Sequence, residues 1–285
     1  MGVGEETRRS VAGALAGGVT RMVVAPLDTV RIRLQLQSAP IHHSVASSTT
    51  YSSVSHAVRC LLKEEGLRTL WRGNFAATIL WVMYSAVQFP VYHLAMGDGA
   101  TPPLRSLFAG AFAGCVATAA SYPLDRLRAV LAAQGVPKVY DGTLHATRSM
   151  LATGGVASLY KGLTPALAQV APYVGLSFYL YEEFSKMVGR ESRWGTAAAG
   201  TGAGLVSKLL MYPLDTIKRR FQVADLRRHA RYAAVPDYSS MASAARTIVQ
   251  EESVRGLYKG VSLSIVKSGL STGLMFTVFE WARRL

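Results

Sequence analysis

Three basic residues interrupt stretches that are otherwise free of charge. Arg21 lies within residues 11–27, Lys208 within 195–214 and Lys267 within 261–279. A cation at the centre of an apolar span costs roughly 2.5–3.5 kcal/mol to insert into lipid. Its central placement argues against snorkelling to an interface, so each of the three is expected to face a cavity or a partner. Arginine presents a fork of donors and lysine a point charge, and both suit phosphate oxygens. In a low-dielectric cleft such charges focus an anion. A second set of charges recurs: Asp28 with Arg31, Asp125 with Arg128, and Asp215 with Lys218. Within each pair the acid and the base are three residues apart, which puts them near the same face of a helix. Each acid stands two residues after a proline, Pro26, Pro123 or Pro213.

The elements that hold these residues follow from hydropathy. Residues 73–92 and 162–181 carry no Asp, Glu, Lys or Arg over 20 residues, and 107–124 carry none over 18. Twenty residues of helix span about 30 Å, a bilayer's hydrocarbon thickness. With the three stretches holding Arg21, Lys208 and Lys267, this predicts six membrane helices. As soluble core helices they would leave too little polar surface. Half of the 285 residues are hydrophobic and only 17% are charged, against roughly 25% in a typical soluble domain. That excludes a disordered chain. The two cysteines, Cys60 and Cys115, exclude a disulfide-stapled fold. The first ten residues are polar, so no cleavable leader is expected.

The spacing of the proline motifs is a repeat: Pro26, Pro123 and Pro213 are 97 and 90 residues apart. Thirteen residues before each proline stands the first of a glycine pair, Gly13/Gly17, Gly110/Gly114 and Gly200/Gly204, which lets helix backbones approach in lipid. A second marker recurs as Trp71-Arg72-Gly73, Tyr160-Lys161-Gly162 and Tyr258-Lys259-Gly260. The chain therefore reads as three repeats, 1–100, 101–192 and 193–285, each with two membrane helices. A proline inside a span removes a backbone hydrogen bond and kinks it. Three such helices around an axis would bring Asp28 to Arg128, Asp125 to Lys218 and Asp215 to Arg31, in a closed ionic ring. Local pairs within each helix are the simpler alternative, but three copies in register favour the ring.

On these motifs the chain resembles the mitochondrial carrier family along essentially its whole length. The resemblance implies an all-α membrane fold with pseudo-threefold symmetry, a central cavity, and short matrix helices within 51–65, 140–151 and 238–252. It implies a transporter working by alternating access, not an enzyme, in the mitochondrial inner membrane, with both termini on the intermembrane-space side. The six ring residues would form the matrix gate, with Gln35 and Gln222 bracing two corners. Ala132 holds the matching place in the second repeat, so that brace is absent. The family's opposite gate is matched by Glu280 with Arg283, and less well by Glu182 with Lys186. His93 to Met96 supply no pair, so an incomplete cytoplasmic gate is expected.

The family's substrate contacts fall on Leu80, on Gln169 and the adjacent Val170, and on Lys267. Trp81, Tyr84, Gln88 and Tyr173 lie within two turns of these. Arg21 and Lys208 take equivalent places five residues before their prolines, matched in the second repeat by Thr118. Three cations, two amides and several aromatics suit a phosphorylated heterocycle. Segments such as 87–89, 132–140, 172–176, 202–208 and 267–273 resemble the family members that carry thiamine pyrophosphate. The transported substrate expected is therefore thiamine pyrophosphate, with a phosphorylated counter-substrate and no resident cofactor or metal. Cardiolipin and a monomeric state are further expectations of the resemblance. Nucleotide or coenzyme A transport and a proton leak are the alternatives. The net charge of +14 and pI near 10.0 raise nucleic-acid binding. The basic residues are spread over loops and helix ends without a binding module, so no nucleic-acid partner is expected.

Overall fold

A computed structural model describes residues 2–37, 51–97, 103–188, 193–226 and 236–284. Six long helices are joined in pairs by three short ones: α1 (Gly2–Gln35), α2 (Val54–Glu65), α3 (Asn74–Met96), α4 (Pro103–Ala133), α5 (Thr143–Gly154), α6 (Leu163–Val188), α7 (Arg193–Val223), α8 (Met241–Leu257) and α9 (Val261–Arg284). No strand occurs among the described residues. Three of the long helices reach mean hydropathies of 1.3 to 1.4 in segments Leu67–Met96, Leu104–Ala133 and Val261–Ala282. Helices α1, α6 and α7 are also long enough to cross a membrane but do not reach that hydropathy. Helix α6 turns Gln169 and Tyr173 toward a cavity rather than presenting an all-round apolar face.

The second long helix of each repeat packs on the first long helix of the next: α3 against α4, α6 against α7, and α9 against α1. Helices α1, α4 and α7 also touch one another pairwise, which closes a threefold arrangement at one end. The short helices α2, α5 and α8 fall in the three expected linkers and lie at that closed end. Two apolar clusters pin them. Ala57 and Leu61 of α2 pack with Val30 and Leu70; Ala146 and Met150 of α5 and Ala244 and Ile248 of α8 share a cluster with Val130, Ile217 and Val223.

The second marker ends in glycine for two reasons. Gly73, Gly162 and Gly260 have φ of +79, +86 and +78, a region that side chains disfavour. A Cβ at Gly73 would stand 2.8 Å from the Arg128 carbonyl oxygen, and one at Gly162 would stand 2.8 Å from Tyr122 Oη. The marker thus docks the start of α3 on α4 and of α6 on α7. The earlier glycine pairs behave less uniformly than the sequence predicts. A Cβ at Gly114 would come within 2.9 Å of Val170, and one at Gly110 would touch Val174, so α4 does approach α6 closely. Gly13, Gly17 and Gly204 have no such neighbour. Gly204 instead borders the cavity, where a small side chain leaves room.

Candidate functional site

The prolines lie inside α1, α4 and α7, and the charged motif follows each of them where the three helices converge. Across helices, Arg128 Nη2 lies 2.6 Å from Asp28 Oδ2 and Lys218 Nζ lies 2.6 Å from Asp125 Oδ2. Arg31 is ion-paired with Asp215. These are the inter-helix pairs of a ring rather than local pairs within each helix. Gln35 Nε2 donates to Asp215 at 2.8 Å, and Gln222 Nε2 donates to Asp125 at 3.0 Å. Tyrosines lie beside the same two corners. Lys218 sits 5.9 Å from the Tyr122 ring centre, and Arg31 5.2 Å from that of Tyr212. Both hydroxyls continue outward, Tyr122 to the Lys161 carbonyl at 3.0 Å and Tyr212 to the Lys259 carbonyl at 2.8 Å.

Other charges take places that the motifs alone did not assign. Arg219 is buried and donates to Asp125 at 3.0 Å and to Gln222 at 2.7 Å. A second tier lies just beyond the ring. Glu65 holds Arg33 at 2.9 Å and Arg72 at 2.5 Å. Glu252 holds Arg220 in a bidentate pair at 2.5 and 2.8 Å and Lys259 at 2.5 Å. Burial lowers the Lys259 ammonium from its ordinary value, and Glu252 acts against that shift. The signal for this tier was present: Arg33 and Arg220 each follow a ring cation by two residues, and each glutamate precedes a marker cation by seven. The second repeat has Val130 and Gly154 in those places. There Arg126, fully buried, crosses instead to Asp225 at 2.7 and 2.6 Å.

Above the ring lies a chamber of about 920 Å³, at the large end of the range for small-molecule sites. Its floor includes Arg31, Asp215 and Lys218. Among the expected contacts, Tyr84, Gln88, Gln169, Tyr173 and Lys208 line it, with Thr118 and Val170. Lys208 Nζ is anchored by Ser268 Oγ at 2.5 Å and the Ser264 carbonyl at 3.1 Å.

Arg21, Leu80, Trp81 and Lys267 are not brought into that lining. Arg21 lies over the Trp81 ring, 5.2 Å from its centre. Leu80 is half-buried on α3. Lys267 reaches past the chamber to the ring, where its Nζ lies 2.6 Å from Asp28 Oδ1.

At the far end the expected partner of Lys186 is replaced. Its ammonium bonds Glu183 on its own helix at 2.7 Å, with both side chains exposed, because three residues along one helix is a shorter reach than across to another. Glu182 lies beside them on α6, exposed. Glu280 is exposed near the end of α9, and the Arg283 side chain lies outside the described residues.

The profile of the mitochondrial carrier protein family matches residues 5–96, 99–192 and 189–285. The chain is 37% identical to mitochondrial thiamine diphosphate carrier 1 of Zea mays, over 99% of this chain and 96% of the relative. It is 36% identical to mitochondrial thiamine pyrophosphate carrier 1 of Aspergillus niger, over 99% and 93%. It is also 36% identical to mitochondrial thiamine diphosphate carrier 1 of Arabidopsis thaliana, over 95% and 91%.

Proposed function

The chain belongs to the mitochondrial carrier family, and from that premise we propose that it carries thiamine pyrophosphate across the mitochondrial inner membrane in exchange for a phosphorylated counter-substrate such as a nucleotide. The observation that carries the reading is the chamber with Lys208 held among Tyr84, Tyr173, Gln88 and Gln169 above a closed ionic floor. Relatives that match nearly end to end and are named for this substrate support it.

In this mechanism the diphosphate binds Lys208, with Arg21 and Lys267 as further cations. The aromatic rings take the thiazolium and pyrimidine by cation–π and stacking contacts, and an amide bonds the pyrimidine. Substrate enters from the intermembrane-space side, where Glu182, Lys186, Glu280 and Arg283 form the gate and the sequence at 93–96 adds no pair to it. The ring then opens toward the matrix. Buried ion pairs gain little net energy after desolvation, so a modest difference in affinity between the two states moves the gate. The protein works as a monomer, since three repeats complete their own ring, and cardiolipin is its lipid partner.

Exchange in liposomes tests the reading. External thiamine pyrophosphate should trade with internal nucleotide and compete with labelled substrate. If ADP or coenzyme A competes and thiamine pyrophosphate does not, the nucleotide or coenzyme A reading replaces it. Proton conductance without exchange would instead make the chain a leak. Lys208→Met should abolish thermal stabilisation by thiamine pyrophosphate while leaving the unliganded unfolding midpoint near that of the native sequence, because it removes a buried cation whose partners are neutral.

A further inference from the structure

The three corners of the ring are not built alike. At two of them a tyrosine stands three residues before the acid and a glutamine four residues after the cation: Tyr122 and Gln222 at Asp125–Lys218, Tyr212 and Gln35 at Asp215–Arg31. At Asp28–Arg128 the same places hold Ala25 and Ala132. Both alanines border a gap of about 10 Å³ together with Asp28, Arg72 and Arg128, near the smallest void that holds one water. What replaces the missing brace is Lys267. It comes from α9, the helix that packs on α1, and puts a second cation on the free oxygen of Asp28, 2.6 Å from Oδ1, while Arg128 holds Oδ2.

We propose that Asp28–Arg128 is the latch of the ring, and that Lys267 holds it shut until the phosphates of a substrate draw Lys267 into the chamber. The proposal rests on Lys267 being a substrate contact. Its neighbour Ser268 lines the chamber and accepts from Lys208, so Lys267 adjoins the residue that anchors the phosphate-binding cation while its own charge is committed to the ring. A lysine has a single ammonium, and a dianionic or trianionic diphosphate competes for it against one carboxylate that is already paired. Once Lys267 leaves, Asp28 keeps only Arg128, beside a gap, with neither amide nor tyrosine in support. The other two corners keep their braces when substrate binds. The ring therefore parts first between α1 and α4. A ligand without an anionic group cannot release this corner, so the latch selects for the phosphate itself and not only for the heterocycle.

The test separates the latch from the substrate reading by working first without ligand. The protein is purified in detergent and its thermal midpoint measured for the native sequence, Lys267→Met, Ala132→Gln and the double variant. Lys267→Met should lower the unliganded midpoint by several degrees. Ala132→Gln, which supplies the amide found at the other corners, should restore most of that loss in the double variant. It should not restore stabilisation by thiamine pyrophosphate. In liposomes, Ala132→Gln alone should slow exchange several-fold in kcat with KM little changed, since it braces the corner without touching the cations. An unliganded midpoint that is unchanged or raised by Lys267→Met, or an exchange rate unaffected by Ala132→Gln, would overturn the proposal. If Ala132→Gln does not fold, the cycle of Asp28→Asn and Lys267→Met decides: losses that fail to add support the latch, and additive losses refute it. Failure of thiamine pyrophosphate to stabilise the native sequence would count against the substrate, not against the latch.

Discussion

At the level of single residues, the decisive fact is how many partners each acid has. Asp125 receives Lys218, Arg219 and Gln222, and its side chain is 10% exposed. Removing its charge leaves two buried cations with one neutral amide between them. Asp125→Asn should therefore cost about 3–5 kcal/mol of stability, the range for breaking a buried pair from one side, read as a large fall in the thermal midpoint. Glu183→Gln, which loses an exposed pair on one helix, should change it by no more than about 0.5 kcal/mol. The contrast checks that the effect comes from burial and not from charge count. Arg219 was the residue hidden from sequence reasoning. It is the middle member of a run of three cations, Lys218 to Arg220, and nothing in such a run says that the first two share Asp125 while the third takes Glu252. The helix turns them about 100° apart, so one meets the ring facing α4, one meets both the ring and its glutamine, and one meets α8.

At the level of elements, the three linkers show how alike the repeats are and where they depart. In each short helix region one residue at positive φ redirects the chain, just after α2 and α5 and at a kink within α8. That residue is Gly66 with φ 80 and ψ 169, Gly155 with φ 61 and ψ −162, and Ser253 with φ 61 and ψ 176. Glycine occupies this region without strain, while a residue with a Cβ bears about 1–3 kcal/mol there. Ser253 is the exception among the three, and the fold holds it because Glu252 immediately before it is tied to Arg220 and Lys259. Ser253→Gly should raise the thermal midpoint, by about 1 kcal/mol of stability, with no change in exchange activity. A midpoint that falls would show that the serine side chain contributes more than its backbone strain costs. The helices themselves were legible from composition: six long helices and three linkers fall where the apolar stretches and markers put them, three of the six with the hydropathy of a membrane span. The glycine pairs were not, because close approach depends on what faces a glycine. Only α4 presents its pair to a neighbouring valine stripe on α6.

For the whole molecule, the second tier of ion pairs joins α1 to α2 and α7 to α8, and the second repeat has no equivalent triad. Glu252→Gln leaves Arg220, fully buried, without the carboxylate charge and with one acceptor oxygen in place of two. It should destabilise the chain by about 3–5 kcal/mol. Hydrogen exchange should then rise first in α8 and the last turns of α7, not in α5, whose packing face is an apolar cluster. Protection lost evenly over all three short helices would contradict this division. Much of the plan was available from order along the chain. Threefold recurrence of a proline, an acid and a base gives the repeat, the repeat gives the ring, and an apolar span broken by a cation gives a cavity, because lipid tolerates neither an unpaired charge nor an unsatisfied backbone. Those deductions depend only on residue type and period. Which cation meets which carboxylate depends on distances between helices that no period encodes. Lys267 belongs by sequence to the chamber with Lys208, yet its ammonium lies on Asp28, because two alanines elsewhere in the chain leave that corner of the ring without a brace. Sequence determined the ring and the charges available to it; only the packing of α9 against α1 decided where the last of those charges went.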